Sequence, residues 1–475
     1  MTAQNTAHYP TTASTLPGWR WMDYAILLAA LVLIMGLFMA VVHLPIMALF
    51  AASLVFMALG IRRPVFIICG IVIIELTILQ FPKGVIVGLP DIRYAPIWIG
   101  AAVALMVAPR HGSAYRWGPG ALRVVAPGVV LVFLTILATA AGVTPEKFAA
   151  VTRFFGTGLL FMMMIPLLIR DSDDLKLVGK VALVVFLFSA AAAISQHYPW
   201  IPDFKALSYA KYRSIGLSSS PIQAANVLVT GFLVAYGMLV ALKLDKAWGV
   251  VFLMFTAIMG LAWYFTGTRS ALFAVVAAVL ISLPLLRGRV LKEMLVAVVV
   301  VGSVAGLVVL SSGGRYTQTT DKSAASREAL WKVAFVIALD RPLLGGGHGS
   351  FRILAPQYWE RVDLAEFDEK WNSRVIVSST QVHNDFLRVW AEYGVLSLIA
   401  FLLMAVGASI NLIKAHFRAT DPWLKGASLG VFVALIGYLV NSGLHNYLTV
   451  TYVFWGLAGL SIALANVTAR EPQRS

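Results

Sequence analysis

Apolar residues in this chain come in long runs separated by short polar stretches. Runs of roughly 17–21 residues, each long enough to cross a hydrocarbon core of ~30 Å as a helix, recur from Met22 to Val467. By this length rule there are about fourteen spans: 22–42, 44–60, 64–80, 92–108, 124–141, 151–169, 177–195, 222–242, 247–266, 270–286, 291–310, 393–413, 424–443 and 448–467. The short runs at 44–60 and 64–80 are the weakest; a re-entrant hairpin there lowers the count to about twelve. The first run lies too far from the terminus, and too close to its successors, for a cleaved signal peptide. The pattern therefore predicts an all-α polytopic membrane protein with about 12–14 transmembrane helices and one large loop that itself contains helices.

The polar stretches set the organisation. A Thr/Ala-rich lead covers residues 1–21, and the N-terminal part of the bundle covers 22–310, interrupted by a loop at 196–221. A large loop follows at 311–392, then C-terminal helices at 393–467 and a tail at 468–475. Within the large loop, residues 326–339 read as an amphipathic helix with Ser326 as its N-cap, stopped by Arg341-Pro342. Gly345 to Gly349 is a glycine turn. A second helix is expected from about Ser379-Thr380, carrying His383 and Asn384 and running past Glu392-Tyr393-Gly394 into the next span.

Composition strengthens the membrane reading: the chain is 60% hydrophobic and only 12% charged, against about a quarter charged in soluble domains. Charge placement then gives orientation. Arg62 and Arg63, Arg110 with Arg116 and Arg123, Arg170 with Lys176 and Lys180, Lys243 and Lys246, Arg287 with Arg289 and Lys292, and Lys414 with Arg418 and Lys425 fall in one alternating set of loops. The positive-inside rule makes that set, and both termini, cytoplasmic, so the loop from about Ser311 faces outward. The net charge of +15 suits a membrane surface, and no nucleic-acid motif accompanies it. The lone cysteine, Cys69, lies within a span, so the chain forms no internal disulfide.

Candidate chemistry is sparse and lies on the outward side. A histidine near a helix start, His383 in His383-Asn384-Asp385, has a pKa suited to general base work; the competing role is a structural cap. Arg213 and Arg269 stand where outward loops meet spans. There a guanidinium can grip phosphate in a fork, or simply snorkel to headgroups. The glycine run lacks the Lys-Ser/Thr ending of a P-loop and reads as a turn. Asp171 to Asp174 sit in an inward loop among lysines and read as solvated surface. Asp363, Glu366, Asp368 and Glu369 have no metal-ligand spacing. Glu75, an acid inside a span, is a functional candidate or a locally satisfied one.

Three motifs read together add a resemblance. Arg327-x3-Trp331, then Pro342-Leu343-Leu344-Gly345-x-Gly347-x-Gly349-x-Phe351, then His383-Asn384-x2-Leu387-x4-Glu392-x-Gly394 resemble the signature domain of the O-antigen ligase and polymerase superfamily. The likeness is specific over about residues 320–400 and looser at Arg213-x2-Gly216 and Thr268-Arg269-Ser270. It implies a glycosyltransferase of lipopolysaccharide biosynthesis in the bacterial inner membrane, with its active site facing the periplasm and no cofactor or metal. Such ligases move polysaccharide from undecaprenyl diphosphate to a sugar hydroxyl of lipid A–core, with inversion. Carried onto this sequence, the resemblance makes His383 the catalytic residue and Arg213 and Arg269 the diphosphate ligands. Arg153, Lys211, Arg315, Arg388 and Asn384 are secondary candidates.

Two relatives in activity stay open: an O-antigen polymerase extending chains on the carrier, and a protein O-oligosaccharyltransferase. Ala224, eleven residues after Arg213 where a polymerase-type arginine–glycine motif wants glycine, leans towards ligase. A lipid-linked sugar transporter would need charged, broken helices at mid-membrane and an inverted repeat, neither of which the sequence displays.

Overall fold

The computed structural model describes residues 55–56, 59–60, 63–77, 97–102, 118–198, 213–218, 220–241, 246–286, 315–362, 381–449 and 451–471. These belong to one compact unit, Ser53–Ser475. The expected spans at 22–42 and 291–310, with Lys211 and the acids at 363–369, lie outside the described residues.

Every regular element among the described residues is helical: α1 Val65–Thr77, α2 Pro119–Ala141, α3 Phe148–Leu168, α4 Ser172–His197, α5 Pro221–Ala241 and α6 Lys246–Phe265. They continue with α7 Ser270–Ser282, α8 Arg315–Asp340, α9 Phe351–Tyr358, α10 Asp385–Arg418, α11 Pro422–Ser442 and α12 Val453–Thr468. Six of them (α2, α3, α4, α5, α10 and α11) are long and apolar enough to cross a membrane, and α6, α7 and α12 are shorter apolar helices. Their outward faces stay greasy, with Phe133, Leu253, Phe273 and Leu403 all more than half exposed. Such surface is stable only in lipid, and the chain is an integral membrane protein.

At the centre, α11 packs on α5, α7 and α10, and α10 packs on α2 and α12. The α5–α11 contact is intimate because Gly237 and Gly430 face each other; a Cβ on Gly237 would lie 2.2 Å from the Gly430 Cα. Cys69 is fully buried in α1.

The polar connections gather at two ends. At one end Arg63 pairs with Asp174 at 2.9 Å and Lys176 with Asp421 at 2.7 Å. There too Arg470 donates to the Arg170 carbonyl and the Thr420 amide to Glu471. Asp171 caps α4 by accepting from the Asp174 amide, so the acidic loop is helix-start structure. At the other end lie residues 213–218, 266–270, the 341–350 turn, 381–384, 443–449 and 451–452. With ~1.5 Å rise per residue, the 26 residues of α4 hold the two ends ~39 Å apart.

Three boundaries differ from those expected. The loop helix begins at Arg315, so Ser326 sits inside α8 and is not its N-cap; no Gly or Pro between them stops the helix from propagating backwards. The next helix begins at Asp385 rather than near Ser379, because Asn384 caps it by accepting from the Leu387 amide at 3.0 Å. The last span begins at Val453, not Leu448, since the backbone before it is spent on the loop described below.

One junction ties the loop to the bundle. Inside α10, Gly394 adopts φ 83°, ψ 169° and breaks the helix. The Ala391 and Glu392 carbonyls then accept from the Gly346 and Gly347 amides at 3.0 and 2.7 Å, while the Val395 amide donates to the Pro342 carbonyl at 2.7 Å. A Cβ on Gly394 would lie 1.9 Å from the Leu343 carbonyl oxygen. The glycine run is therefore the socket of this kink. The Gly345, Gly346 and Gly347 amides are committed to protein carbonyls and the His348 amide to the Thr139 hydroxyl, which leaves the run poorly suited to cradling phosphate.

Candidate functional site

The segment carrying Arg213 is pinned by one buried side chain. The Gln196 carboxamide accepts from the Ile215 and Gly216 amides, both at 2.9 Å, and donates to the Gly216 carbonyl at 3.0 Å. Gly216, at φ 55°, lets the chain turn against the Ser189 carbonyl. The Ser214 amide then reaches the Phe265 carbonyl at 2.9 Å, so residues 213–218 lie beside the turn after α6.

Arg213 is seated on that turn. Its Nε donates to the Thr266 carbonyl at 2.8 Å and its Nη2 to the Thr268 hydroxyl at 3.2 Å, and Thr268 in turn donates to the Pro221 carbonyl. The next residue is Arg269, exposed at the start of α7. The two arginines that the sequence singled out thus stand at one turn, although 56 positions separate them in the chain.

His383 reaches the same end from the large loop. Its φ of 57° is the one left-handed backbone among the described non-glycine residues. The strained residue is held from behind: the Asn384 amide donates to the Asn446 carboxamide at 3.0 Å while Asn384 caps α10. The loop between α11 and α12 is fixed in turn by Asp385, whose Oδ2 accepts from the Tyr447 and Leu448 amides at 2.7 and 2.9 Å. Tyr447 extends across to the Ile222 carbonyl at the start of α5.

That loop delivers His445, whose ring lies 6.1 Å from the His383 ring at 84°. His445 is 3% exposed, and its Nδ1 has no hydrogen-bond partner among the described residues. Burial, reinforced by the charges of Arg327, His383 and Arg213, depresses its pKa to about 3. Burial, with Arg327 second, also lowers the pKa of His383. Both imidazoles are therefore neutral at neutral pH, and Arg213, Arg327 and His383 all lie within electrostatic reach of His445.

The secondary candidates divide. Asn384 serves as cap and backbone anchor at the site. Arg388 is spent internally: its Nε pairs with Glu392 at 3.0 Å and its Nη1 meets the Thr449 hydroxyl, which further fixes the His445 loop. Arg153 sits half-buried in α3, beside Phe154, whose ring stacks on Tyr452 at 4.9 Å. Arg315 opens α8 with its side chain outside the described residues, as is Lys211. His348 is held by Tyr393 at 2.6 Å and the Thr139 hydroxyl, in keeping with a turn role. Glu75 lines an apolar cavity of about 530 Å³ among α1, α4, α5, α11 and α12, which none of the residues around His383 lines. Among the described residues no group of three His, Cys, Asp or Glu is arranged to hold a metal.

Sequence reading missed His445 as a candidate and treated Arg327 only as part of a motif. A signal for His445 exists in the polar run Asn441-Ser442-Gly443-Leu444-His445-Asn446-Tyr447 between two apolar runs. Gln196 carried no signal, because its role appears only once the backbone around it is folded.

Fold and cluster define an all-helical integral membrane protein with guanidinium and imidazole groups gathered at one polar end. Residues 252–402 match the family described as O-Antigen ligase. The matched stretch contains Arg269, Arg327 and His383, begins after Arg213 and ends before His445. The teichuronic acid biosynthesis protein TuaE of Bacillus subtilis (strain 168) is 22% identical over 351 residues, which are 66% of this chain and 66% of that protein. The chain thus spans just under two thirds of that relative's length.

Proposed function

We propose that this protein is a glycosyltransferase that moves a saccharide chain from undecaprenyl diphosphate to a sugar hydroxyl of lipid A–core at the periplasmic face of the inner membrane. The observation that carries the reading is the meeting of Arg213, the Thr266–Arg269 turn and the neutral His383–His445 pair at one polar end of the bundle. The O-antigen ligase domain over residues 252–402 supports it.

The chemistry follows from those groups. The acceptor hydroxyl attacks the anomeric carbon of the donor and loses its proton to His383, which is neutral and able to accept it. A new glycosidic C–O bond forms as the bond from the anomeric carbon to the diphosphate oxygen breaks. The electron pair leaves with undecaprenyl diphosphate, and Arg213 and Arg269 stabilise the charge that develops there. Attack opposite the leaving group inverts the anomeric centre. His383 then releases its proton to water.

A second reading has its own support. TuaE is named for the biosynthesis of teichuronic acid, and a polymerase of the same superfamily would use the same donor while taking a carrier-linked saccharide as acceptor. Deleting the gene in its host separates the two. Rough lipopolysaccharide with long polymer stranded on the lipid carrier is the expected result; core bearing a single repeat unit would establish polymerase and overturn the ligase reading. Complementation by wild type but not by R213A, R269A or H383N links the phenotype to this site.

A further inference from the structure

We propose that Arg327 is a third cationic ligand of this site, gripping the phosphate-bearing anion beside His383 and His445. The inference rests on the donor reading above and extends it to a residue of α8.

Packing fixes where Arg327 stands. Ala329, Leu330 and Val333 of α8 share one buried apolar cluster with Val382, the residue before His383, and with Ala391 of α10. Arg327 lies just ahead of that cluster, and its charge acts on His383, His445 and the Tyr447 hydroxyl. These three groups come from two other segments of the chain, so the guanidinium faces the cluster and not merely its own helix.

What marks Arg327 is the company it lacks. It is partly buried, yet no carboxylate pairs with it and no acceptor meets it among the described residues. Other arginines here are compensated: Arg388 by Glu392, Arg63 by Asp174 and Arg361 by Asp340. A half-buried guanidinium without an anion forfeits solvation and gains nothing for the fold. It is explained if the anion arrives with a ligand. The second, independent sign is His445, 3% exposed and with Nδ1 unpartnered beside it. In its Nδ1–H tautomer this ring donates to an ionised phosphate oxygen, and in the other it accepts from a neighbouring sugar hydroxyl.

The ligand chemistry is a phosphate ester, which a diphosphate carrier or an ordinary anionic lipid headgroup could provide. Arg327 commits to the diphosphate, because it stands on the same cluster as Arg213 and the two charges together suit a ligand with two phosphates.

The test uses the full chain in nanodiscs, with undecaprenyl diphosphate, undecaprenol and phosphatidylglycerol as separate probes in a binding titration. Wild type is expected to prefer undecaprenyl diphosphate over undecaprenol. R327M should weaken the diphosphate complex by about 10–100-fold, the loss expected for one charge-assisted contact. R327K should recover part of it, while undecaprenol binding and the melting temperature without ligand stay unchanged. If R327M does not fold, R327Q serves as the neutral variant. Unaltered diphosphate binding in the neutral variant, alongside loss in R213M, overturns the role of Arg327 and leaves the donor reading standing. Equal competition by phosphatidylglycerol overturns it too, in favour of a headgroup contact. A wild-type protein that does not distinguish diphosphate from undecaprenol overturns the donor reading itself.

Discussion

His383 is a charged-capable, bulky residue in a backbone conformation that side chains rarely adopt, and a cost of about 1–3 kcal/mol is usual for such strain. The Asn446 and Asp385 contacts behind it hold the conformation in place. Asparagine tolerates the left-handed region better than most residues. H383N is therefore expected to melt within a few degrees of wild type while transfer activity falls by about 10²–10⁴-fold; a melting curve and an assay with lipid-linked donor check both halves. The pH dependence follows from the direction of the shift. Burial, and then Arg327, lower the pKa of His383, so its neutral form persists below the usual imidazole value. Activity should hold on acidification until the pH is below about 6.5, with Arg327 and His445 beside the same ring. An acid limb above that value would argue against His383 as the base. The residue types at the site were legible in the sequence because Arg and His in the loops of a membrane protein are conspicuous. His445 was marked only by its polar run, since its neighbours in space come from α8, the 213 segment and the 383 turn.

At the scale of elements, apolar run length alone located most helices to within a few residues, as α4, α5, α6 and α11 illustrate. Boundaries failed where side chains, not hydropathy, decide them. Asn384 starts α10, Asp385 takes the amides that would have extended α12 backwards, and nothing in the sequence interrupts α8 before Arg315. The kink at Gly394 was readable only as a glycine in a motif; its reason is the carbonyl of Leu343 pressed against the missing Cβ. G394A meets both a positive φ and that carbonyl, and we expect at least ~2 kcal/mol of destabilisation, seen as an earlier thermal transition in detergent. A Gly394 variant that melts like wild type would mean that the glycine turn does not dock on α10.

For the whole molecule, Arg63, Arg170, Lys176 and Arg470 and the segments bearing the cluster gather at opposite ends among the described residues. Which end faces outward is an expectation of the positive-inside rule. Because Cys69 is buried, the natural chain should be silent to a polar maleimide. E146C, at an exposed position on the end of the bundle shared with the glycine turn, should label in intact cells; R418C should label only after permeabilisation. The reverse pattern would invert the topology and move the cluster to the cytoplasm.

The exchange of hydrogen bonds at the α10 kink also bears on how this architecture can be recombined. Ala391 and Glu392 have given their carbonyls to the glycine turn, and Val395 draws on Pro342. A graft that brought in α10 without residues 342–347 would strand three backbone groups, at roughly 1–3 kcal/mol each. Chimeras with a relative such as TuaE should therefore tolerate junctions outside 315–395 and fail with junctions between the turn and the kink. Membrane-fraction yields of two such series would read this directly. The loop and the helix that receives it are thus a single heritable part, and any variation that the loop carries would have to be exchanged with its anchor attached.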